Sequence, residues 1–148
     1  MDLEQKIIQD IKNSMLSKNS VKLEVCRSIK SAIILAKSEK GFDGITEEKE
    51  IEILQKLYKQ RKESSAIYVN QKRPDLAQYE DTQARIIATY LPAPYSLNEL
   101  EEVINNIMNE LDLFSKSDMG RLMSVILQRV KGRADGKTIS TILSKKLH

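Results

Sequence analysis

The chain has 148 residues, of which 30% are charged and 41% hydrophobic, and its formal net charge is +3. Its single cysteine excludes an internal disulfide framework, and no apolar run reaches the roughly 20 residues needed to span a bilayer. With no signal peptide at its start, the chain is expected to be a cytoplasmic protein without a membrane partner.

Apolar spacing and the scarcity of glycine and proline predict an all-α fold, with about four helices before residue 92. The first two helices carry Leu3, Ile7, Ile8, Ile11 and Met15, and then Val25, Cys26, Ile29, Ala32, Ile33 and Ala36. The second is expected to end near Gly41 and Gly44. Thr46 is predicted to cap the third helix, which extends to about Gln71, and Asp75 is predicted to cap the fourth.

The segment YLPAPYS, which begins at Tyr90, predicts a stiff linker because Pro92 and Pro94 forbid helix there. A capping box, Ser96-x-x-Glu99, follows it and predicts the start of a new helix. We therefore expect a helical N-terminal domain over 1–92 and a small three-helix tail domain over 95–148. The apolar stripes of its helices start at Leu97, Met119 and Ile139, and Ser115 and Asp135 are expected to cap the second and third.

The turn RVKGRADGKTIS, Arg129–Ser140, ends like a nucleotide-binding phosphate loop but has only three residues between its glycines, and a predicted helix precedes it. Gly132 is instead expected to form a left-handed helix cap, with Asp135 capping the next helix. Four basic residues crowd this helix start, which is the chemistry of a phosphate site: Arg129, Lys131, Arg133 and Lys137. The alternative is a solvated turn whose cations match the helix dipole.

These residues belong to a longer stretch, Ser117–Leu143, that closely resembles the signature of the GatB/YqeY family. The family's D-M-G-[KR]-[VL]-M run matches Asp118–Met123, and its K-G-[KR]-A-D-G turn matches Lys131–Gly136. Upstream, KQRKES, RPDLAQYE and YLP are similar to the helical half of the stand-alone members. The chain departs from the family at YLPAPYS, where Y-L-P-x-Q-L-S is more usual.

The resemblance implies a helical domain joined to a three-helix tail, like the tail of the B subunit of tRNA-dependent amidotransferases. In that enzyme the like domain is associated with holding the tRNA body while other parts carry out the chemistry. For the stand-alone members the resemblance implies no established activity. A carbon–nitrogen ligase assignment, with glutamine as amido donor, would follow from the shared domain alone.

Candidate catalytic residues are scarce in this sequence. His148 is the last residue and is expected to fray, and Cys26 lies on a predicted apolar stripe with no histidine to activate it. The acidic pair Glu47-Glu48 is typical of a first helical turn. We therefore expect no catalytic residue, no metal site and no cofactor.

Two functions remain open, and an enzyme ranks below both. The first is an RNA-binding module that holds tRNA or another structured RNA through Arg129, Lys131, Gly132, Arg133 and Lys137. The basic residues Lys59, Arg61 and Lys62 would extend this footprint, or would form an ordinary solvated face. The tail and linker offer few aromatics for base stacking, which favours recognition of the phosphate backbone. The second function is a protein-interaction module in which the basic turn is incidental.

Overall fold

A computed structural model describes the whole chain, Met1–His148, and contains seven α-helices and no strand. The helices are α1 Leu3–Leu16, α2 Ser20–Lys37, α3 Glu47–Asn70, α4 Pro74–Ala88, α5 Leu97–Leu111, α6 Met119–Val130 and α7 Gly136–Lys146. A short 3₁₀ turn, Lys116–Asp118, leads directly into α6. The predicted all-α fold, with four helices followed by three, is confirmed. No helix combines the length and the apolar composition that a membrane span requires.

The helices form two compact units, Met1–Leu91 and Pro92–His148, each with an apolar core of its own. In the first unit, three-residue turns join α1 to α2 and α3 to α4, and each pair packs side by side. The core of the second unit is built from α5, α6 and α7, with Ile104, Leu122, Ile126, Ile139 and Leu143 completely buried. That these units are separate folding domains remains a prediction.

Helix starts follow the capping residues that the sequence indicates. Thr46 Oγ1 accepts a hydrogen bond from the backbone N–H of Lys49 at 3.1 Å. At α5 the capping box is complete, since Ser96 Oγ accepts from the N–H of Glu99 and Glu99 Oε1 accepts from the N–H of Ser96. Ser115 forms the same kind of box, but it caps the 3₁₀ turn that precedes α6 and not α6 itself.

The cap predicted at Asp75 is wrong. Pro74 is the first residue of α4, and Arg73 occupies the capping position without a side-chain cap. Proline suits the first helical position because its missing N–H has no partner there in any case. The Asp75 carboxylate lies in the first turn instead, where it accepts hydrogen bonds from Arg73 at 3.2 and 3.1 Å.

Three apolar residues assigned to buried stripes are exposed. Ile8, Met15 and Leu97 keep 50%, 56% and 59% of their side-chain surface in solvent, whereas Ser14 is buried. Apolar spacing marks the side of a helix that faces the core, and in units this small the neighbouring helices cover only part of that side.

Two predictions about ends differ from the structure: where α2 stops, and whether the last residue of the chain frays. Helix α2 stops at Lys37, before Gly41 and Gly44, which lie in the following loop with φ of +82° and +95°. His148 is not frayed, because its N–H donates to the Phe114 carbonyl and its own carbonyl accepts from the N–H of Lys116, both at 3.1 Å.

Limited proteolysis tests the domain prediction. We expect first cleavage at 92–96 or in the loop around Gly41–Gly44, since both segments lie outside any helix. Mass spectrometry of the earliest fragments identifies the sites. First cuts inside α3 or α4 would contradict the division at the proline linker.

Candidate nucleic-acid interface

The basic turn joins α6 to α7 through two consecutive left-handed residues. Helix α6 ends at Val130. Its C-cap residue, Lys131, is left-handed with φ of 46° and ψ of 49°, and Gly132 follows with φ of 80°. The left-handed cap therefore starts one residue before the predicted position. The N–H of Arg133 then donates to the Val130 carbonyl at 2.9 Å, which closes the turn.

Helix α7 starts at Gly136 with the cap that the sequence predicts. Asp135 Oδ1 accepts a hydrogen bond from the N–H of Thr138 at 2.7 Å. Hydrogen bonding by the Thr138 side chain, and then by the Thr138 backbone N–H, lowers the pKa of the Asp135 carboxyl, and the nearby charge of Lys137 acts in the same direction. A helix, α6, precedes the turn, whereas a phosphate loop follows a strand.

Arg133 fastens the turn to the linker segment that opens the second unit. Its Nε donates to the Ala93 carbonyl at 2.7 Å, and its guanidinium carbon lies 3.8 Å from the centre of the Tyr95 ring. The N–H of Tyr95 donates in turn to the Arg133 carbonyl at 2.9 Å. Arg133 therefore has a structural role, while its two terminal nitrogens donate to no protein acceptor.

The other three basic residues of the turn differ in how they are paired. Arg129 forms a two-pronged ion pair with Glu110, with N–O distances of 2.5 and 2.7 Å, and this pair lowers the pKa of Glu110. Lys131 and Lys137 are exposed and form no ion pair. Two exposed lysines and the outer part of Arg133 are thus the cations left available at this site.

The proposed extension of the RNA footprint lies on α3 in the first unit, and each of its three basic residues forms an ion pair with a carboxylate. Its ion pairs are Lys59–Glu63 at 4.0 Å, Arg61–Glu80 at 3.6 Å and Lys62–Asp81 at 3.2 Å. The last two pairs connect α3 to α4. The acidic partners of Arg61 and Lys62 lie about twenty residues away in the sequence, so helical spacing within α3 cannot indicate them.

Lys145 and Lys146 were not among the predicted site residues, but the structure places them in one groove with Lys137. A groove of about 580 Å³ runs beside α5 and α7, and its lining includes Leu97, Glu101, Lys137, Ile142, Lys145 and Lys146. Lys137 and Lys145 are eight residues apart, and that spacing places them on the same side of a helix. The spacing was the signal that could have identified them.

The structure assigns Cys26 to a buried polar network. The Tyr90 hydroxyl donates to Asp10 Oδ2 at 2.5 Å, so the Cys26 thiol is left to donate to the Tyr90 oxygen at 3.4 Å. Burial raises the pKa of the Cys26 thiol, which disfavours the reactive thiolate. No group of three or more histidine, cysteine, aspartate or glutamate side chains is placed to hold a metal ion.

An all-α chain with this tail turn has the form of the small stand-alone proteins that its sequence resembles. The model of the YqeY-like protein family matches residues 4–147, and the chain belongs to that family. This confirms the resemblance drawn from the motifs.

Curated relatives share one name, "Altered inheritance of mitochondria protein 41, mitochondrial". The protein of Pyrenophora tritici-repentis is 30% identical over 93% of this chain and 75% of its own length. That of Vanderwaltozyma polyspora is 34% identical over 77% of this chain and 68% of its own length. That of Clavispora lusitaniae is 35% identical over 69% of this chain, which spans only 60% of its length.

The relatives' names contradict the expected cytoplasmic setting, since each of these proteins is called mitochondrial. The expectation rested on the single cysteine, on the absence of an apolar span and on the lack of a secretory signal peptide. Those features describe redox chemistry and hydropathy, whereas the destination of a protein is set by signals that receptors recognise. Composition therefore could not distinguish the cytoplasm from another aqueous compartment.

Replacement of Asp135 tests the cap of α7. We expect Asp135→Ala to lower the free energy of unfolding by about 1 kcal/mol, whereas Asp135→Asn keeps the acceptor and costs less. Because the folded-state pKa is lowered, the carboxylate stabilises fully above the ordinary aspartate range, and this contribution is lost as pH falls through the lowered pKa. Urea unfolding at neutral and acidic pH measures both effects. Equal losses for the two variants would argue against the cap.

Thiol labelling tests the burial of Cys26. We expect a thiol reagent to leave the native protein unmodified at neutral pH and to label it completely in denaturant, because the thiol is buried and its pKa is raised. Rapid labelling of the folded protein would show that the thiol is accessible.

Proposed function

We propose that this chain is a non-catalytic accessory module that binds tRNA or another structured RNA through its second unit. The observation that carries the proposal is that some of the candidate basic side chains form ion pairs with carboxylates and others do not. Arg129, Lys59, Arg61 and Lys62 each have a carboxylate partner. Lys131, Arg133 and Lys137, around the start of α7, have none, so their charge is available to phosphates.

Availability matters because a phosphate competes with whatever a cation already contacts. A lysine that is solvated and unpaired gains phosphate contact while the nucleic acid releases counterions. Arg129 would first have to give up its two hydrogen bonds to Glu110. We therefore assign the main phosphate contacts to Lys131, Arg133 and Lys137 and a lesser role to Arg129.

Lys145 and Lys146 extend the same positive surface along α7. Lys145 lies eight residues beyond Lys137, which corresponds to about 12 Å along a helix at 1.5 Å per residue. A surface of this length reaches several phosphates of one strand. The proposed footprint therefore follows α7 away from the turn.

The mode of recognition that fits these residues is contact with the backbone of folded RNA. Tyr95 already stacks against Arg133, so its ring is not free to stack on a base. Phe114 is the large exposed aromatic of the second unit, with 39% of its surface in solvent. One such ring does not make the stacking surface that single-strand readers use.

The link to tRNA-dependent amidotransferases is part of the proposal and rests on the likeness of the tail turn. Any carbon–nitrogen ligase activity would then belong to a partner, with this chain holding the RNA. The names of the relatives add a mitochondrial setting.

A protein-interaction module is the second candidate. The observation that favours it is exposed apolar surface on α2, where the neighbours Ile34 and Leu35 keep 55% and 68% of their surface in solvent. RNase treatment separates the two candidates, because a partner held through RNA is lost and a directly docked protein is retained.

Filter binding of purified protein to total tRNA over a salt series tests the RNA proposal. With three or four phosphates neutralised, log Kobs should fall against log[salt] with a slope of about −3 to −4. Lys131→Ala and Lys137→Ala should each reduce that slope by about one unit and weaken binding to all tRNAs alike, since phosphate contacts carry no base identity.

Lys62→Ala is the matched control, because it removes the same charge from an exposed lysine that is paired with Asp81. We expect it to leave the salt slope unchanged. A protein that binds no tRNA at low salt, or one for which all three lysine variants behave alike, would place the protein-docking candidate first.

A further inference from the structure

A second groove lies in the first unit, between α2 and α3, and the proposed RNA site uses none of it. Its volume is about 650 Å³, and its lining includes Arg27 and Arg61, the carboxylate of Glu24, and the apolar side chains of Leu23 and Leu57. Sites for small molecules in proteins measure about 300–1,000 Å³. The groove is open to solvent, and its volume and mixed lining leave room for a small molecule against the surface.

Arg61 lines this groove beside a buried carboxylate. Its Nη1 lies 3.6 Å from Glu80 Oε2, and the two side chains are only 27% and 13% exposed. That separation is an ion pair too long for a hydrogen bond. Glu80 Oε2 is itself buried without a hydrogen-bond partner. The Glu80 carboxylate therefore offsets part of the charge of Arg61 but accepts no hydrogen bond from it, so the N–H donors of this guanidinium remain free for a ligand.

Arg27 brings a second guanidinium to the same groove, and this one has no carboxylate partner. It lies on the exposed side of α2, one helical turn after Glu24, and forms no ion pair or hydrogen bond with another side chain. A guanidinium is a planar fork of donors that matches the oxygens of a phosphate or carboxylate two at a time. Both guanidinium groups line this groove, and the chemistry of such a pair suits an oxyanion.

Glu24 adds a hydrogen-bond acceptor to the groove. Its Oε2 accepts a hydrogen bond from the Tyr79 hydroxyl, and its Oε1 has no protein donor. The hydrogen bond to Glu24 raises the pKa of Tyr79, so that hydroxyl remains a donor at neutral pH. Glu24 therefore stays fixed, with one oxygen free to accept from a ligand.

Two of the sequence stretches that resemble the stand-alone family members contribute to this groove, one by lining it and the other by contacting its lining residues. Arg61 comes from KQRKES, and Glu80 and Tyr79 come from RPDLAQYE. The first stretch supplies the guanidinium, and the second supplies the residues that contact Arg61 and Glu24.

We propose that the groove between α2 and α3 binds a small phosphate ester that also carries hydroxyl groups. Arg27 and Arg61 would hold the phosphate, Glu24 would accept from a hydroxyl, and Leu23 and Leu57 would cover the carbon skeleton. A phosphate carries more charge and more acceptor oxygens than a carboxylate. Two guanidinium groups therefore suit a phosphate better than they suit a carboxylate. The proposal is independent of RNA binding by the second unit.

Titration of the full chain with ribose 5-phosphate tests the proposal, with calorimetry for affinity and arginine Nε–H NMR signals for location. We expect saturable binding, with shifts of the Arg27 and Arg61 signals. Arg61→Gln should weaken binding by about tenfold or more, since it removes charge-assisted hydrogen bonds. Glu24→Ala should remove the preference for ribose 5-phosphate over inorganic phosphate, because the acceptor for the hydroxyl is lost.

Arg73→Gln is the control, since Arg73 is an exposed arginine of the same unit that is paired with Asp75 outside the groove. It should bind ribose 5-phosphate as the unchanged protein does. If Arg61→Gln lowers the helix content seen by circular dichroism, Arg27→Gln on the exposed side of α2 replaces it in the comparison.

Three results would overturn the proposal. One is no saturable binding of ribose 5-phosphate, and another is equal weakening by Arg73→Gln and the groove variants. The third is displacement of ribose 5-phosphate by tRNA with the same two arginine signals shifting, which would assign the groove to an RNA surface. Failure of the salt-slope experiment leaves this proposal unaffected, because none of the lysines in that experiment lines the groove.

Discussion

Short reversals of the backbone allow the helices of this chain to pack as neighbours, and each reversal passes through a left-handed residue that is not glycine. These residues are Lys18 after α1, Lys72 after α3, Asp112 after α5 and Lys131 after α6, with φ between 46° and 59°. The conformation costs an L-residue about 1–2 kcal/mol. A lysine offsets part of that cost, because its charge interacts favourably with the negative end of the helix that it follows.

That backbone constraint also bears on why lysines of the tail turn have no carboxylate partner. Lys131 is held outside the helix by its left-handed conformation, and the carboxylate of Asp135 is occupied by the cap of α7. The acidic side chains that pair with Arg61, Lys62 and Arg129 come from neighbouring helices, α4 and α5. Helix α7 has no acidic residue of its own, and Glu101 of α5, which lines the same groove as its lysines, forms no ion pair with them.

Most features that depend on residues close to one another along the chain could be predicted from the sequence, although the cap at Asp75 was wrong because Pro74 takes the first position of α4. The caps at Thr46, Ser96 and Asp135 and the break at Pro92 are among the features predicted in this way, and so is the rejection of a phosphate loop. The sequence could not predict contacts between distant positions, such as Arg133 with Ala93 and Tyr95 or Arg129 with Glu110. The composition of the candidate site depends on those contacts, because they decide which cations are free.

The contact of Arg133 with the linker couples two equilibria. Its guanidinium is shared between the Tyr95 ring, the Ala93 carbonyl and any anion that reaches the turn. An anion that draws the guanidinium away weakens the hold on residues 93–95, and a displaced linker changes the affinity of the turn for that anion by the same factor. If the turn binds an anion, the order of the proline segment would therefore change with occupancy of a turn forty residues further along the chain.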